Sequence, residues 1–422
     1  MLPLVPVGET GAAVVAATAL VALLITALRH PRGRVEAAIA VAASVAVVAA
    51  GALTRNDLED VAEHLTPVVV FLVAILVVAE VCARAGVFAS AGALVATWSR
   101  DNPVRLLTGT FVLAAVVTTV FSLDATVVLL TPVAITAALT HGVSTKPVAQ
   151  VCLRMANSAS LLLPVSNLTN LLALPHLDLT VGGFALRMAP VLAVVLLVEY
   201  VGLRLLSRKE LRDAQSATTP AAPPAETHLK VPVTVVALML VGFVATSPFG
   251  VDPAWVAVAA ATTLALWGLT TGVTSPRDVA AAAHPGFAIF VLGLGVVVAA
   301  LAQGPLGAHV GGGLPDTATG FGSLLLIAVL ATALAAVLTN LSATLLLLPL
   351  LSPLGTTAVL AALLGLNIGS GLTWTGSLAN LLWRRTLTRQ GIKVSSWEFH
   401  RVSLTLTPIS LVAGVAVLSL LA

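Results

Sequence analysis

Apolar runs about as long as a bilayer is deep fill most of this chain, and short polar clusters interrupt four of them. The runs predict spans near residues 4–28, 35–53, 67–83, 148–172, 185–206, 231–247, 254–273, 286–302, 366–383 and 402–421. A small-residue amphipathic piece at 85–100 precedes a further apolar stretch at 103–140, and a Gly-rich loop at 303–320 precedes another at 321–360. Each of these two stretches has a polar tip at its middle, so each reads as a re-entrant hairpin of two short arms. Lipid offers no partner to backbone polar groups, so a span is a helix or part of a closed barrel. Runs of roughly 20 apolar residues fit helices, because barrel strands need only about 10 and alternate. The expected fold class is an all-α polytopic membrane protein: about ten transmembrane helices plus two opposed re-entrant hairpins, arranged as an inverted-topology repeat.

The polar clusters come in matched pairs. Ser122-Leu123-Asp124-Ala125-Thr126, ahead of Pro132, matches Asn340-Leu341-Ser342-Ala343-Thr344, ahead of Pro349. Downstream, Asn157, Ser160, Asn170, Leu171 and Leu172 fall without a gap on Asn367, Ser370, Asn380, Leu381 and Leu382. This predicts a duplication: a first repeat at 1–207 and a second at 231–422, joined by a linker at 208–230 that is charged and then rich in Ala, Thr and Pro. The first repeat holds hairpin 103–140 and broken helix 148–172; the second holds hairpin 321–360 and broken helix 366–383. The first run lacks a basic start and is followed by Arg29, Arg32 and Arg34, which predicts a retained helix with its N-terminus outside.

Charge tests the scheme. With hairpin arms not crossing, each half has five spans, and an odd number turns the second half upside down. Of the 21 Lys and Arg, only Arg55 and Arg187 then fall outside. The rest, Arg154 among them, sit in inner segments or at inner helix ends, as the positive-inside rule requires. Only 9% of residues are charged, against about 25% in soluble proteins. No basic block calls for nucleic acid. Cys82 and Cys152 are too few for a thiolate metal cluster and read as packing residues. His64, His141, His176, His284 and His309 are expected in loops and form no ligand spacing. No nucleophile–base set or phosphate loop appears, so neither an enzyme nor a cofactor is expected.

Irregular backbone at membrane depth is tolerated only where protein or water covers it. The two tips and two breaks should therefore converge, with half-helix ends and unwound peptides supplying partial charges. Their side chains are hydroxyls and amides: Ser122, Thr126, Ser166, Asn167, Thr169, Asn170, Asn340, Ser342, Thr344, Thr375, Ser377 and Asn380, with Asn367 and Thr373 beside them. These suit a small polar solute with several oxygens. A lone Ser or Thr in a membrane helix more often bonds its own backbone or a neighbouring helix; the duplicated register is what favours a site. Asp124 is the one carboxylate in the four clusters. An ionisable group at membrane depth is costly and is a functional candidate by default, so Asp124 is expected to carry the coupling proton. A helix-capping role for Asp124 stands beside this reading, and Glu199 reads as a helix-end or packing residue, with a second titrating group as the alternative.

The tips and breaks resemble the arsenite efflux permeases, the arsenical pump membrane proteins of the ion transporter superfamily. The blocks that carry the likeness are Asp124 to Pro132, Val165 to Asn170, Gly182 to Pro190, and Thr375-Gly376-Ser377-Leu378-Ala379-Asn380-Leu381-Leu382-Trp383. The resemblance implies a multi-pass permease of the bacterial inner membrane that exports arsenite or antimonite against protons, and in some systems docks a soluble arsenite-stimulated ATPase. Leu123, Leu341, Asn367 and Gly371 depart from the family pattern, which often has Asn, Asn, Asp and Lys there. Two-fold assembly is the commonest closed symmetry, so a homodimer in the lipid membrane is expected. A sodium-coupled dicarboxylate transporter and a cation/proton antiporter remain open alternatives; the duplicated midplane polarity argues against a third, a non-transporting membrane scaffold, which gains nothing from costly broken helices.

Overall fold

A computed structural model of the chain describes residues 8–29, 33–100, 102–212, 228–393 and 395–421. Most of the linker expected at 208–230, and the start of the first expected span, lie outside the described residues.

Among the described residues the fold is entirely helical. In the first half the α-helices are α1 (Glu9–Arg29), α2 (Gly33–Ala49), α3 (Arg55–Arg84), α4 (Val87–Ser99), α5 (Pro103–Val120), α6 (Leu123–Ala125), α7 (Thr131–Thr140), α8 (Thr145–Ser158), α9 (Leu168–Ala173), α10 (Val181–Leu206) and α11 (Arg208–Arg212). The second half follows with α12 (Lys230–Thr246), α13 (Pro253–Thr271), α14 (Pro276–Ala282), α15 (Pro285–Gln303), α16 (Pro305–Gly311), α17 (Gly320–Leu338), α18 (Asn340–Leu351), α19 (Thr356–Asn367), α20 (Leu378–Arg389) and α21 (Ser396–Leu420). Helix α11 opens the expected linker, and α16 lies inside the expected Gly-rich loop.

Ten of the described segments are long and apolar enough to cross a bilayer. They are not the same ten as the sequence suggests. Segments expected as non-crossing hairpin arms, α5, α6–α7 and α17, qualify, whereas α2, with 17 residues, and the broken helices fall below 18. An 18-residue arm rises about 27 Å, close to the depth of a hydrocarbon core.

The helices pack in two groups that share a continuous core and meet where α15 lies on α18. Helix α15 lies against α1, α2 and α3, and α3 against α13. In the other group α5 packs on α4 and α8, α17 on α18 and α19, and α21 on α10 and α17. Small residues let the backbones approach, as membrane helices without a hydrophobic driving force between them require. A Cβ on Gly286 of α15 would sit 2.2 Å from the Gly33 carbonyl oxygen of α2. A Cβ on Gly365 of α19 would sit 2.2 Å from the Ala328 carbonyl oxygen of α17. Gly365→Ala must therefore push α17 and α19 apart, at a cost of about 1–3 kcal/mol for overpacking. The expected result is a lower Tm in detergent; an unchanged Tm would contradict this crossing.

Candidate functional site

Each hairpin turns at a strained residue. Between α5 and α6, Ser122 has φ 154°; between α17 and α18, Thr339 has φ 75° and ψ 154°. Such backbone costs a residue with a Cβ about 1–3 kcal/mol and persists only where its surroundings hold it. The helix breaks supply the hold. Asn340 N–H donates to the Gly376 carbonyl at 2.8 Å. The arm before each tip ends in a carbonyl with no helical partner, and a hydroxyl from a break serves it. Ser166 Oγ donates to Thr119 O at 2.6 Å, and Thr375 Oγ1 donates to Ala336 O at 3.0 Å.

The two breaks are built alike. Asn170 Nδ2 donates to the carbonyls of Ser160 (2.7 Å) and Leu163 (3.2 Å), and Asn380 Nδ2 to those of Ser370 (2.9 Å) and Thr373 (2.8 Å). Ser160 Oγ and Ser370 Oγ each donate to a carbonyl three residues back, Asn157 O and Asn367 O. The breaks then join crosswise. Asn157 Nδ2 donates to Asn380 Oδ1 at 3.0 Å, and Asn367 Nδ2 donates to Asn170 Oδ1 at 2.7 Å. Every partner in one exchange is the repeat counterpart of a partner in the other. Thr169 Oγ1 and Asn167 Nδ2 also donate to Asn367 Oδ1.

A cavity of about 60 Å3 lies where tips and breaks meet. Ser122, Asp124, Ser166, Asn167, Thr169, Asn340 and Ser377 line it among nine apolar residues, including Phe71, Leu72 and Ile75 of α3, Phe287 of α15 and Leu378 of α20. Four helices begin at its wall. Ser122, Asn167 and Ser377 cap α6, α9 and α20 through their side chains, and Asn340 is the first residue of α18. Helix N-termini carry partial positive charge and free N–H groups, so the wall favours electron-rich oxygen. Asp124 Oδ1 is buried and has no hydrogen-bond partner among the described residues. Asp124 also lines a second cavity of about 820 Å3, together with Glu80, Arg34, His284, Arg385 and Arg389. That vestibule opens among segments the charge pattern assigns to the inner side.

The other expected site residues stand behind this wall. Ser342 lines a neighbouring apolar cavity with Asn340. Thr126 Oγ1 pairs with Thr118 Oγ1 at 2.7 Å, and Thr344 Oγ1 donates to its own helix at Asn340 O. Thr375, Asn170 and Asn380 hold the irregular backbone as described.

Three features escape sequence reasoning. The first is a π turn at Thr126–Leu130, directly after the tip that carries Asp124. Its signal is countable: five residues separate Thr126 from Pro132, but four separate Thr344 from Pro349. The added residue is taken up as a π turn, a form common at functional sites. The second corrects the charge count. Arg154 does not reach the inner water; it is 1% exposed and pairs with Glu199, itself fully buried. A tally of charges near run ends assigns every arginine to solvent, and only packing shows one turned inward. The third is that His64 lies within α3 and His309 within α16, not in loops, with the His64 ring stacked on that of His176 at 6.5 Å.

The sequence matches the family described as citrate transporter over residues 10–362. It is 28% identical over 282 residues to the arsenical pump membrane protein of Escherichia coli strain K12, covering 63% of this chain and 65% of that protein. The aligned region thus spans just under two thirds of that relative's length. To the arsenical pump membrane protein of Yersinia enterocolitica it is 26% identical over 423 residues, covering 94% and 96%. Among solved structures it resembles the YdaH transporter of Alcanivorax borkumensis, with a TM-score of 0.57, 17% identity and 86% of each chain covered. That likeness concerns the fold.

Proposed function

This chain belongs to the citrate transporter family, as a multi-pass transporter of the bacterial inner membrane, and we propose that it exports arsenite or antimonite in exchange for protons. The carrying observation is the 60 Å3 cavity with four helix N-termini, hydroxyl and amide groups set in a largely apolar lining, and one carboxylate with a buried oxygen that lacks a partner among the described residues. A water needs about 10–15 Å3, so the cavity has room for about four to six non-hydrogen atoms. Neutral arsenite, one arsenic with three hydroxyls, falls in that range; a tricarboxylate has roughly three times as many atoms as arsenite. The names of the curated relatives support the same substrate.

In this mechanism arsenite enters from the inner vestibule, and its hydroxyls meet Ser122, Asn167, Thr169, Asn340 and Ser377. Asp124 stands at the boundary between vestibule and site. It holds a proton when the site faces out and releases it when the site faces in, so that cargo and proton use the site alternately. The bundle of α1–α3 with α12–α15 acts as scaffold, and the hairpins and broken helices move against it as two inverted repeats. A homodimer and docking of a soluble arsenite-stimulated ATPase belong to the same proposal.

The test is arsenite accumulation in everted vesicles energised by a proton gradient. Gradient-dependent uptake by the native chain is expected. Its absence in well-inserted protein would overturn the substrate. One observation favours a second reading: the vestibule is lined by Arg34, Arg385 and Arg389, which suits an anion such as the carboxylate in the family's description. Sodium-dependent citrate uptake without arsenite movement would select it.

A further inference from the structure

The Arg154–Glu199 pair lies outside the cavity just described, yet it touches the second break. Arg154 Nε donates to Glu199 Oε2 at 2.9 Å, Nη2 donates to Glu199 Oε1, and Nη1 donates to Thr407 Oγ1 at 2.9 Å. Ser410 Oγ (2.9 Å) and Ser158 Oγ (3.4 Å) also donate to Glu199 Oε1. The pair thus binds together α8, α10 and α21, and each of its charged nitrogens and oxygens has a partner. It is a fork-shaped, charge-assisted contact of the kind that fixes geometry as well as charge.

Its free edge faces Gly371. A Cβ built there would lie 3.0 Å from Arg154 Nη1, 3.7 Å from Asn157 Nδ2 and 3.9 Å from Thr407 Oγ1. The guanidinium therefore occupies the space that a side chain at 371 would need. One turn along α8 from Arg154 is Asn157, which holds Asn380 at 3.0 Å and accepts from Ser370 Oγ at 3.4 Å. The counterpart of Arg154 in the second repeat, 210 positions on as Asn157 is from Asn367, is Leu364, buried and apolar. The ion pair is therefore one-sided: both of its charges come from the first repeat, Thr407 and Ser410 of α21 add hydroxyls from the second, and the break beside it is the second repeat's.

We infer that Arg154 and Glu199 are positioning residues that hold the second break, through Gly371 and the Asn157–Asn380 contact, in the shape that closes the substrate site. They do not carry the coupling proton. The guanidinium is held by Glu199 and Thr407 on α10 and α21, so removing it vacates the space beside Gly371 and frees α8 one turn from Asn157.

The test compares Arg154→Leu/Glu199→Leu, which removes both charges and avoids stranding one, with Gly371→Ala, which adds the crowding Cβ. Arsenite is the probe, under a proton gradient and in gradient-free counterflow. The expected result is a rise in KM of at least about tenfold in both assays for the double variant, as misplaced binding groups produce. A smaller rise in the same direction is expected for Gly371→Ala, and Vmax per inserted molecule should be retained. An unchanged KM would reduce the pair to a packing role and overturn the inference. Loss of gradient-driven transport with normal counterflow would also overturn it, by making Glu199 part of the proton route. The kinetic readout rests on the arsenite reading, so a second measurement stands apart from it: amide hydrogen exchange across Ser370–Asn380. Faster exchange there in the double variant is expected whatever the substrate, and unchanged exchange would overturn the positioning role even if arsenite proves not to be carried.

Discussion

Asp124→Asn is expected to abolish gradient-driven arsenite accumulation while leaving the protein folded and inserted. The expected loss is about two orders of magnitude or more, the size usual when a proton-transferring group is removed. The substitution keeps the side chain's shape and removes only its ability to ionise. Asp124 Oδ1 lies buried without a partner among the described residues, and a buried polar atom without a hydrogen bond is costly. A neutral amide relieves the charged form of that cost, so Tm in detergent is expected to hold or to rise. The combination of lost activity and undiminished stability is the mark of a residue kept for function at the expense of stability. Counterflow of arsenite without a gradient should survive, because the amide and hydroxyl wall is untouched. Gradient-driven transport that persists in the Asn variant would move the coupling proton elsewhere. Counterflow lost together with it would make Asp124 a substrate ligand.

Asn170→Ala and Asn380→Ala are expected to have nearly equal and severe effects. Asn380 serves the Ser370 and Thr373 carbonyls and accepts from Asn157. Asn170 serves the Ser160 and Leu163 carbonyls and accepts from Asn367. Alanine removes three hydrogen bonds in either case; Thr373 O keeps the Gly376 N–H, Leu163 O keeps the Ser166 N–H, and Asn157 Nδ2 keeps the Leu153 carbonyl. At about 1 kcal/mol for each hydrogen bond lost, the expected destabilisation is about 3 kcal/mol, and transport should fail with it, since the breaks form the cavity wall. Chemical unfolding of the two variants in detergent measures this. The crosswise pairing requires the two costs to agree; one variant tolerated and the other lethal would show that the breaks are not energetic equivalents.

Much of the site was legible as spacing. The ungapped match of Asn157, Ser160 and Asn170 on Asn367, Ser370 and Asn380 singles out the residues that carry the matched hydrogen bonds. The tips were legible because polar residues inside apolar runs demand cover. The roles were less so. Thr126 and Thr344 look like ligands by position, yet Thr126 pairs with Thr118 and Thr344 bonds its own helix, since a hydroxyl one turn further along a helix faces a different neighbour.

The chain's apolar runs, low charge and doubled polar clusters by themselves determined a helical membrane protein with paired irregular segments, because each of those follows from what lipid does to an exposed peptide or charge. Which polar group meets which was decided by the tertiary structure alone. Asn157 finds Asn380, 223 residues away, and Arg154 turns from the inner water to Glu199. A buried donor must find an acceptor, but its identity is set by how the helices cross, and those crossings rest on close approaches such as Gly365 on Ala328 that no local pattern announces.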